Sequence, residues 1–196
     1  MEETDKGSSR RANRGLDFFR GFLRSPEQVG SIIPSSRFLE RRIVNLSGLD
    51  AADTVVELGP GTGGTTRAIL EAMRPEARLL TIELDPQFSS ILKNFGDSRL
   101  YPHTGSAAEL PDILVQYGLA APDVVISGIP FSTMPCEIGN AVLEAVRDSL
   151  APGGRFVAYQ FRGHVGRMGR PILGEPEVEL EMLNVPPMRF YCWRKR

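Results

Sequence analysis

Glu57, Glu83 and the glycines between them are the residues whose types and spacing point most directly to chemistry. Val55-Val56-Glu57-Leu58-Gly59-Pro60-Gly61-Thr62-Gly63-Gly64 reads as a strand running into a glycine-rich turn and then a helix. Gly59 and Gly61 let the backbone turn tightly and approach a ligand closely. Pro60, Thr62 and Gly63 complete the turn, and the helix start presents unpaired N–H groups. Gly59, Gly61 and Gly64 also satisfy the G-x-G-x-x-G pattern of dinucleotide sites. Glu57 argues against a dinucleotide, because a carboxylate at the strand end repels a pyrophosphate and suits the ammonium of a methionine moiety. Glu83 stands about 20 residues past the glycines, where an acid accepts both ribose hydroxyls, and Leu84 beside it can flank an adenine. Asp85, ahead of Pro86, reads instead as a helix cap. The site this describes takes S-adenosylmethionine (SAM). In Gly105-Ser106-Ala107, Ser106 can accept from the adenine amino group, more weakly than an acid would.

A second group of residues suits a methyl acceptor. Tyr159, Phe131 and Phe161 can line an apolar aromatic mouth, where ring faces attract a cationic amine by roughly 0.5–2 kcal/mol each. For Phe161, ordinary sheet core is the slightly simpler reading; Tyr159, with its polar tip at a strand end, fits the site better. Arg162, His164, Arg167 and Arg170 follow in a stretch rich in glycine, which we read as a basic loop able to hold a lipid phosphate. His103 is a candidate proton acceptor, with a structural histidine as the plainer alternative.

Strand and helix patterns alternate to place these residues. Strands are expected at 54–58, 78–82, 100–103, 123–127 and 155–161, with helices at 37–47, 65–73, 86–94, 107–117 and 136–149. Segments 177–184 and 189–193 read as strands with no helix between them, hence an antiparallel hairpin. Repeated β-α units imply a doubly wound, Rossmann-like α/β fold: a seven-stranded sheet, mostly parallel, with helices on both faces and the ligand at the carboxyl ends of the strands.

The chain has 196 residues, 41% of them hydrophobic and 24% charged. That length suits one α/β domain, expected over residues 25–196. A net charge of −1 excludes a globally basic nucleic-acid binder. Cys136 and Cys192, with two histidines, do not make a metal-type spacing, so no metal is expected. No signal peptide or spanning helix is evident, so we expect a cytoplasmic enzyme, read as a monomer. Residues 1–24 differ from the rest: a polar tail, then Arg10, Arg11, Arg14, Arg20 and Arg24 interleaved with Leu16, Phe19 and Leu23 at helical spacing. This reads as a basic amphipathic helix lying on an anionic membrane surface.

Four segments occur in order: Gly30-Ser31-Ile32-Ile33-Pro34-Ser35-Ser36, the glycine motif, Ser127-Gly128-Ile129-Pro130-Phe131, and Tyr159-Gln160-Phe161. Together they resemble the bacterial phospholipid N-methyltransferases over nearly the whole chain from Phe18 onward. The glycine motif belongs to all class I methyltransferases and says little about substrate; the first and third segments are more telling. The resemblance implies stepwise methylation of phosphatidylethanolamine toward phosphatidylcholine at the inner face of the cytoplasmic membrane. It also implies that Ser36, Ser127 and Gly128 join the cofactor site. The pattern is similar as well to the ribosomal RNA adenine dimethylases, which carry Asn where this chain has Gly128. An Asn oxygen holds the N–H donors of an aromatic amine, whereas an alkyl amine needs no such help, so Gly128 suits an aliphatic amine better. The chain also ends just after its seventh strand, where the RNA enzymes add a domain. We therefore expect no nucleic-acid partner, with rRNA adenine methylation as the alternative.

Overall fold

A computed structural model describes residues 37–184 and 187–196. The helix expected within residues 1–24 and the cofactor contact expected of Ser36 lie outside the described residues. Seven strands form one sheet: β1 (Thr54–Leu58), β2 (Arg78–Glu83), β3 (Leu100–Thr104), β4 (Val124–Ser127), β5 (Arg155–Gln160), β6 (Glu177–Glu181) and β7 (Met188–Arg194). Their order is β3-β2-β1-β4-β5-β7-β6. The first five are parallel, and β7 runs antiparallel between β5 and β6. The mostly parallel sheet with its C-terminal antiparallel hairpin is thus as expected. β1 lies between β2 and β4, so the chain leaves β1 toward β2 and later returns to its other side. That reversal opens a crevice at the carboxyl ends of β1 and β4.

Six α-helices cover the described sheet: α1 (Arg37–Ser47), α2 (Gly64–Ala72), α3 (Pro86–Lys93), α4 (Leu110–Gln116), α5 (Cys136–Ser149) and α6 (His164–Leu173). The inner strands β1 and β4 are buried along their whole length, and β2 from its second residue, because helices cover both faces. On one face Leu39 and Ile43 of α1 and Ile69 and Leu70 of α2 pack on Val55, Leu79, Ile126 and Val157. Asp85 caps α3 as expected, accepting from the Gln87 N–H at 2.8 Å with Pro86 in the first turn.

The basic stretch after β5 is a helix, not the loop its glycines suggested. A Cβ on Gly166 would lie 2.5 Å from the Tyr191 ring, and one on Gly169 would lie 2.6 Å from the Trp193 ring. The glycines therefore let α6 pack closely against the aromatic side chains of β7. The helix forming cost of glycine, roughly 1 kcal/mol each, is offset by that contact.

Candidate active site

The turn after β1 is built on glycine backbone. Gly59, Gly61 and Gly63 have φ of 70°, 55° and 85°, a region that side-chain-bearing residues avoid. Gly59 also sits where a Cβ would press on Ile129 at 3.0 Å. The turn is tied to its neighbours by the Gly59 N–H donating to the Ile82 carbonyl at 3.0 Å and the Gly128 N–H donating to the Leu58 carbonyl at 2.9 Å.

Two acids converge beneath this turn, on the same face of adjacent strands. Glu57 is fully buried, and its Oε2 accepts from the Thr66 hydroxyl at 2.6 Å. Its Oε1 is buried with no partner among the described residues. Burial pushes the carboxyl up to about 8; the Thr66 hydrogen bond opposes the shift, and the nearby Glu83 adds to it. A buried carboxylate oxygen without a donor is costly. A ligand ammonium, directly or through water, satisfies it. Glu83 Oε2 accepts from the Gly61 N–H and Oε1 from the Asp85 N–H, each at 3.1 Å. The acid thus braces the turn, and each oxygen keeps a lone pair for a ribose hydroxyl. Burial raises its pKa, while the backbone N–H groups of Asp85, Gly61 and Leu84 hold it down. The residues present fit SAM: backbone N–H groups at the turn, an acceptor for ribose and an unsatisfied acid for the amino-acid end.

The other expected contacts divide. Leu84, half-buried, and Ala107, buried, lie at the carboxyl ends of β2 and β3. Ser106 Oγ already accepts from the Ala108 N–H at 3.3 Å, so it caps the short 3-10 turn Ala107–Glu109. Ser127 is buried, and its Oγ accepts from the Ile129 N–H at 3.3 Å, which shapes the turn after β4. Pro60 is buried and Thr62 exposed.

On the acceptor side, Tyr159 and Gly128 form a unit. A side chain at position 128 would collide with the Tyr159 hydroxyl and lie 3.1 Å from the Gly59 carbonyl oxygen. The Tyr159 hydroxyl lies 3.5 Å from the Thr65 hydroxyl. Burial pushes the phenol far above its ordinary range, with the Glu57 charge adding and Thr65 opposing, so it stays a neutral donor.

Phe131 is not in an open mouth. It is 1% exposed and packs beside Gly139 of α5, so it is core. Phe161 is half-buried against the α1–α2 side of the core. His103 stands on the edge strand β3, four strands from Tyr159, which is about 19 Å across a sheet. Its Nδ1 lies 3.4 Å from the Tyr117 hydroxyl, and the two rings meet edge to face. Burial lowers its pKa, opposed by Glu109. His103 is therefore a structural histidine. Arg162 and Arg167 are exposed, and His164, whose buried Nδ1 has no partner among the described residues, begins α6.

Three polar residues of the site were missed from sequence: Thr65, Thr66 and Gln160. Gln160 is buried and donates to the Ile129 carbonyl, fixing the Gly128 turn to β5. The available signal was polarity out of place: two threonines in the first turn of a helix facing an apolar sheet, and an amide ending an apolar strand.

The sheet order, the glycine turn and the paired acids define a class I SAM-dependent methyltransferase, with SAM as its cofactor. Solved structures agree on the fold: 1,6-didemethyltoxoflavin-N1-methyltransferase of Burkholderia thailandensis superposes with a TM-score of 0.67 at 15% identity, over 100% of this chain and 92% of that one. The O-methyltransferase TomG of Streptomyces achromogenes, solved with SAM, gives 0.66 at 16% identity over the same shares. Ornithine lipid N-methyltransferase of Singulisphaera acidiphila is 32% identical over 180 residues, covering 90% of this chain and 94% of that protein. The chain belongs to the family of ornithine lipid N-methyltransferase. The Ribosomal RNA adenine dimethylase family model matches residues 25–101. Ribosomal RNA small subunit methyltransferase A of Caulobacter vibrioides is 36% identical over 47% of this chain, which spans 34% of that protein. The family-model match holds β1, β2 and the glycine turn but stops before Gly128 and Tyr159.

Proposed function

We propose that this chain transfers methyl groups from SAM to the amine of a membrane-lipid headgroup, acting at the inner membrane surface. The observation that carries the reading is the Gly128–Tyr159 unit, in which the tyrosine hydroxyl fills the space an Asn side chain would need at the end of β4. SAM, when bound, would supply a methyl carbon made electrophilic by its sulfonium; the amine lone pair would attack that carbon in line as the C–S bond breaks and the neutral thioether leaves. Glu57 and Glu83 bind and orient it through the ammonium and the ribose, and the glycine turn holds it against β1. The amine must arrive neutral. Tyr159, kept protonated, orients rather than deprotonates, so the ammonium proton leaves to water.

Phosphatidylethanolamine and its mono- and dimethyl derivatives, converted toward phosphatidylcholine, are the substrates we favour on the sequence motifs. Ornithine lipid is the second reading, favoured by the relative named for it across 94% of that relative's length. The test is methyl-labelled SAM with purified protein, given anionic vesicles containing one lipid or the other, and in parallel ribosomal RNA. Label in the phosphatidylethanolamine extract supports the first reading, and label only with ornithine lipid supports the second. Label in RNA alone overturns both.

A further inference from the structure

Four large apolar side chains of one hairpin lie open to solvent. Val178 and Leu180 on β6 are 50% and 53% exposed, and Met182 and Leu183 in the following turn are 66% and 65% exposed. The other large exposed apolar side chains among the described residues, Phe38, Ile91 and Val115, stand singly on three different helices. Register places the hairpin's turn. Glu181 pairs with Met188, and Arg189 with Gln160, the last residue of β5. The turn between β6 and β7 therefore leaves the sheet at its carboxyl edge, the edge that carries Gly59, Glu83 and Gly128, and beside the strand of Tyr159.

Charge is sorted across the same hairpin. Along β6, Glu177, Glu179 and Glu181 alternate with Val178 and Leu180, so acids and apolar residues face opposite ways. Glu179 and Glu181 are paired with Arg42 of α1, at 3.2 and 3.7 Å. On the apolar side the cross-strand partner of Leu180 is Arg189. Arg189 is exposed, as are Arg162 just before α6 and Arg167 within it, and none of the three has an ion pair among the described residues. Exposed apolar side chains beside unpaired cations, with the acids turned away, match the chemistry of an anionic bilayer surface.

We propose that the β6–β7 hairpin is a lipid-contacting loop. Met182, Leu183 and Leu180 enter the boundary between headgroups and acyl chains, and Arg162, Arg167 and Arg189 meet anionic phosphates, so the carboxyl edge of the sheet faces the membrane. This rests on the reading of the substrate as a membrane lipid. The test replaces Leu183 by Trp in the full chain and adds vesicles of phosphatidylglycerol and phosphatidylcholine. The added emission shifts to the blue and is quenched by brominated acyl chains. M182S/L183S weakens vesicle binding by about tenfold, as expected for loss of two partly buried side chains, and leaves SAM affinity in calorimetry unchanged. An unshifted Leu183→Trp emission while the protein sediments with vesicles overturns the proposal. So does emission already blue-shifted without vesicles, which means that another part of this chain covers the loop. A wild-type dimer that M182S/L183S dissociates also overturns it, in favour of a second copy. The substrate reading is scored separately, by methyl transfer to lipid dispersed in neutral detergent, which needs no bilayer insertion.

Discussion

At the scale of single residues, the site is a balance of buried charge against the ligand that neutralises it. Glu83→Ala removes the ribose acceptor and releases the Gly61 N–H; it is expected to weaken SAM binding by roughly 1.5–3 kcal/mol in calorimetry, with Glu83→Gln intermediate. Glu57 makes a pH prediction. Its folded pKa of about 8 lies above the ordinary 4.5, so between these values the folded, ligand-free chain holds a proton that the unfolded chain has released. The stability contribution is therefore fully present below about 4.5 and is lost as pH rises through about 8. Binding SAM at neutral pH should expel that proton, seen as a buffer-dependent heat, and Glu57→Gln should abolish both the proton release and this part of the melting-temperature decline. Gly128→Ala drives a methyl into the Tyr159 hydroxyl and against the Gly59 carbonyl, and is expected to lower methyl transfer by about tenfold or more, and by more than it weakens SAM binding. Adding Tyr159→Phe should restore part of the rate, because the colliding oxygen is gone; no rescue would separate the two residues. Glu57 and Glu83 were legible in the sequence because an acid at a strand end is costly without a purpose. Phe131 and His103 misled because sequence places a residue along its strand but not across the sheet. Phe131 is buried beside Gly139 of α5, and His103 is on the far edge.

At the scale of elements, the β-α alternation carried most of the fold, since strands buried on both faces read as short apolar runs between polar helix starts. The exception is α6. Glycine at 163, 166 and 169 signals a loop by propensity, and only the packing of Gly166 and Gly169 against Tyr191 and Trp193 shows why the helix needs glycine at those two positions. Gly166→Ala tests this. Alanine is the better helix former by roughly 1 kcal/mol, yet a Cβ 2.5 Å from the Tyr191 ring is expected to cost about 1–3 kcal/mol through overpacking. The melting temperature should fall; a rise would mean that α6 is held only loosely on β7. The same packing leaves Arg167 of α6 exposed.

At the scale of the whole molecule, one edge of the sheet gathers the glycine turn, both acids, the Gly128–Tyr159 unit and the apolar hairpin turn. The cofactor half is common to methyltransferases acting on many substrates. The matches to RNA enzymes cover about half of the chain or less, whereas the match to a lipid enzyme runs nearly end to end. Among the described residues no helix is long and apolar enough to cross a membrane. The most direct measurement is lipid mass spectrometry of bacteria that lack methylated lipids and express either this chain or its Glu83→Ala variant. Amine headgroup lipids carrying one or more added methyl groups are expected with the wild-type chain, and none or few with the variant. Unchanged lipids alongside newly dimethylated adenine in ribosomal RNA would contradict it.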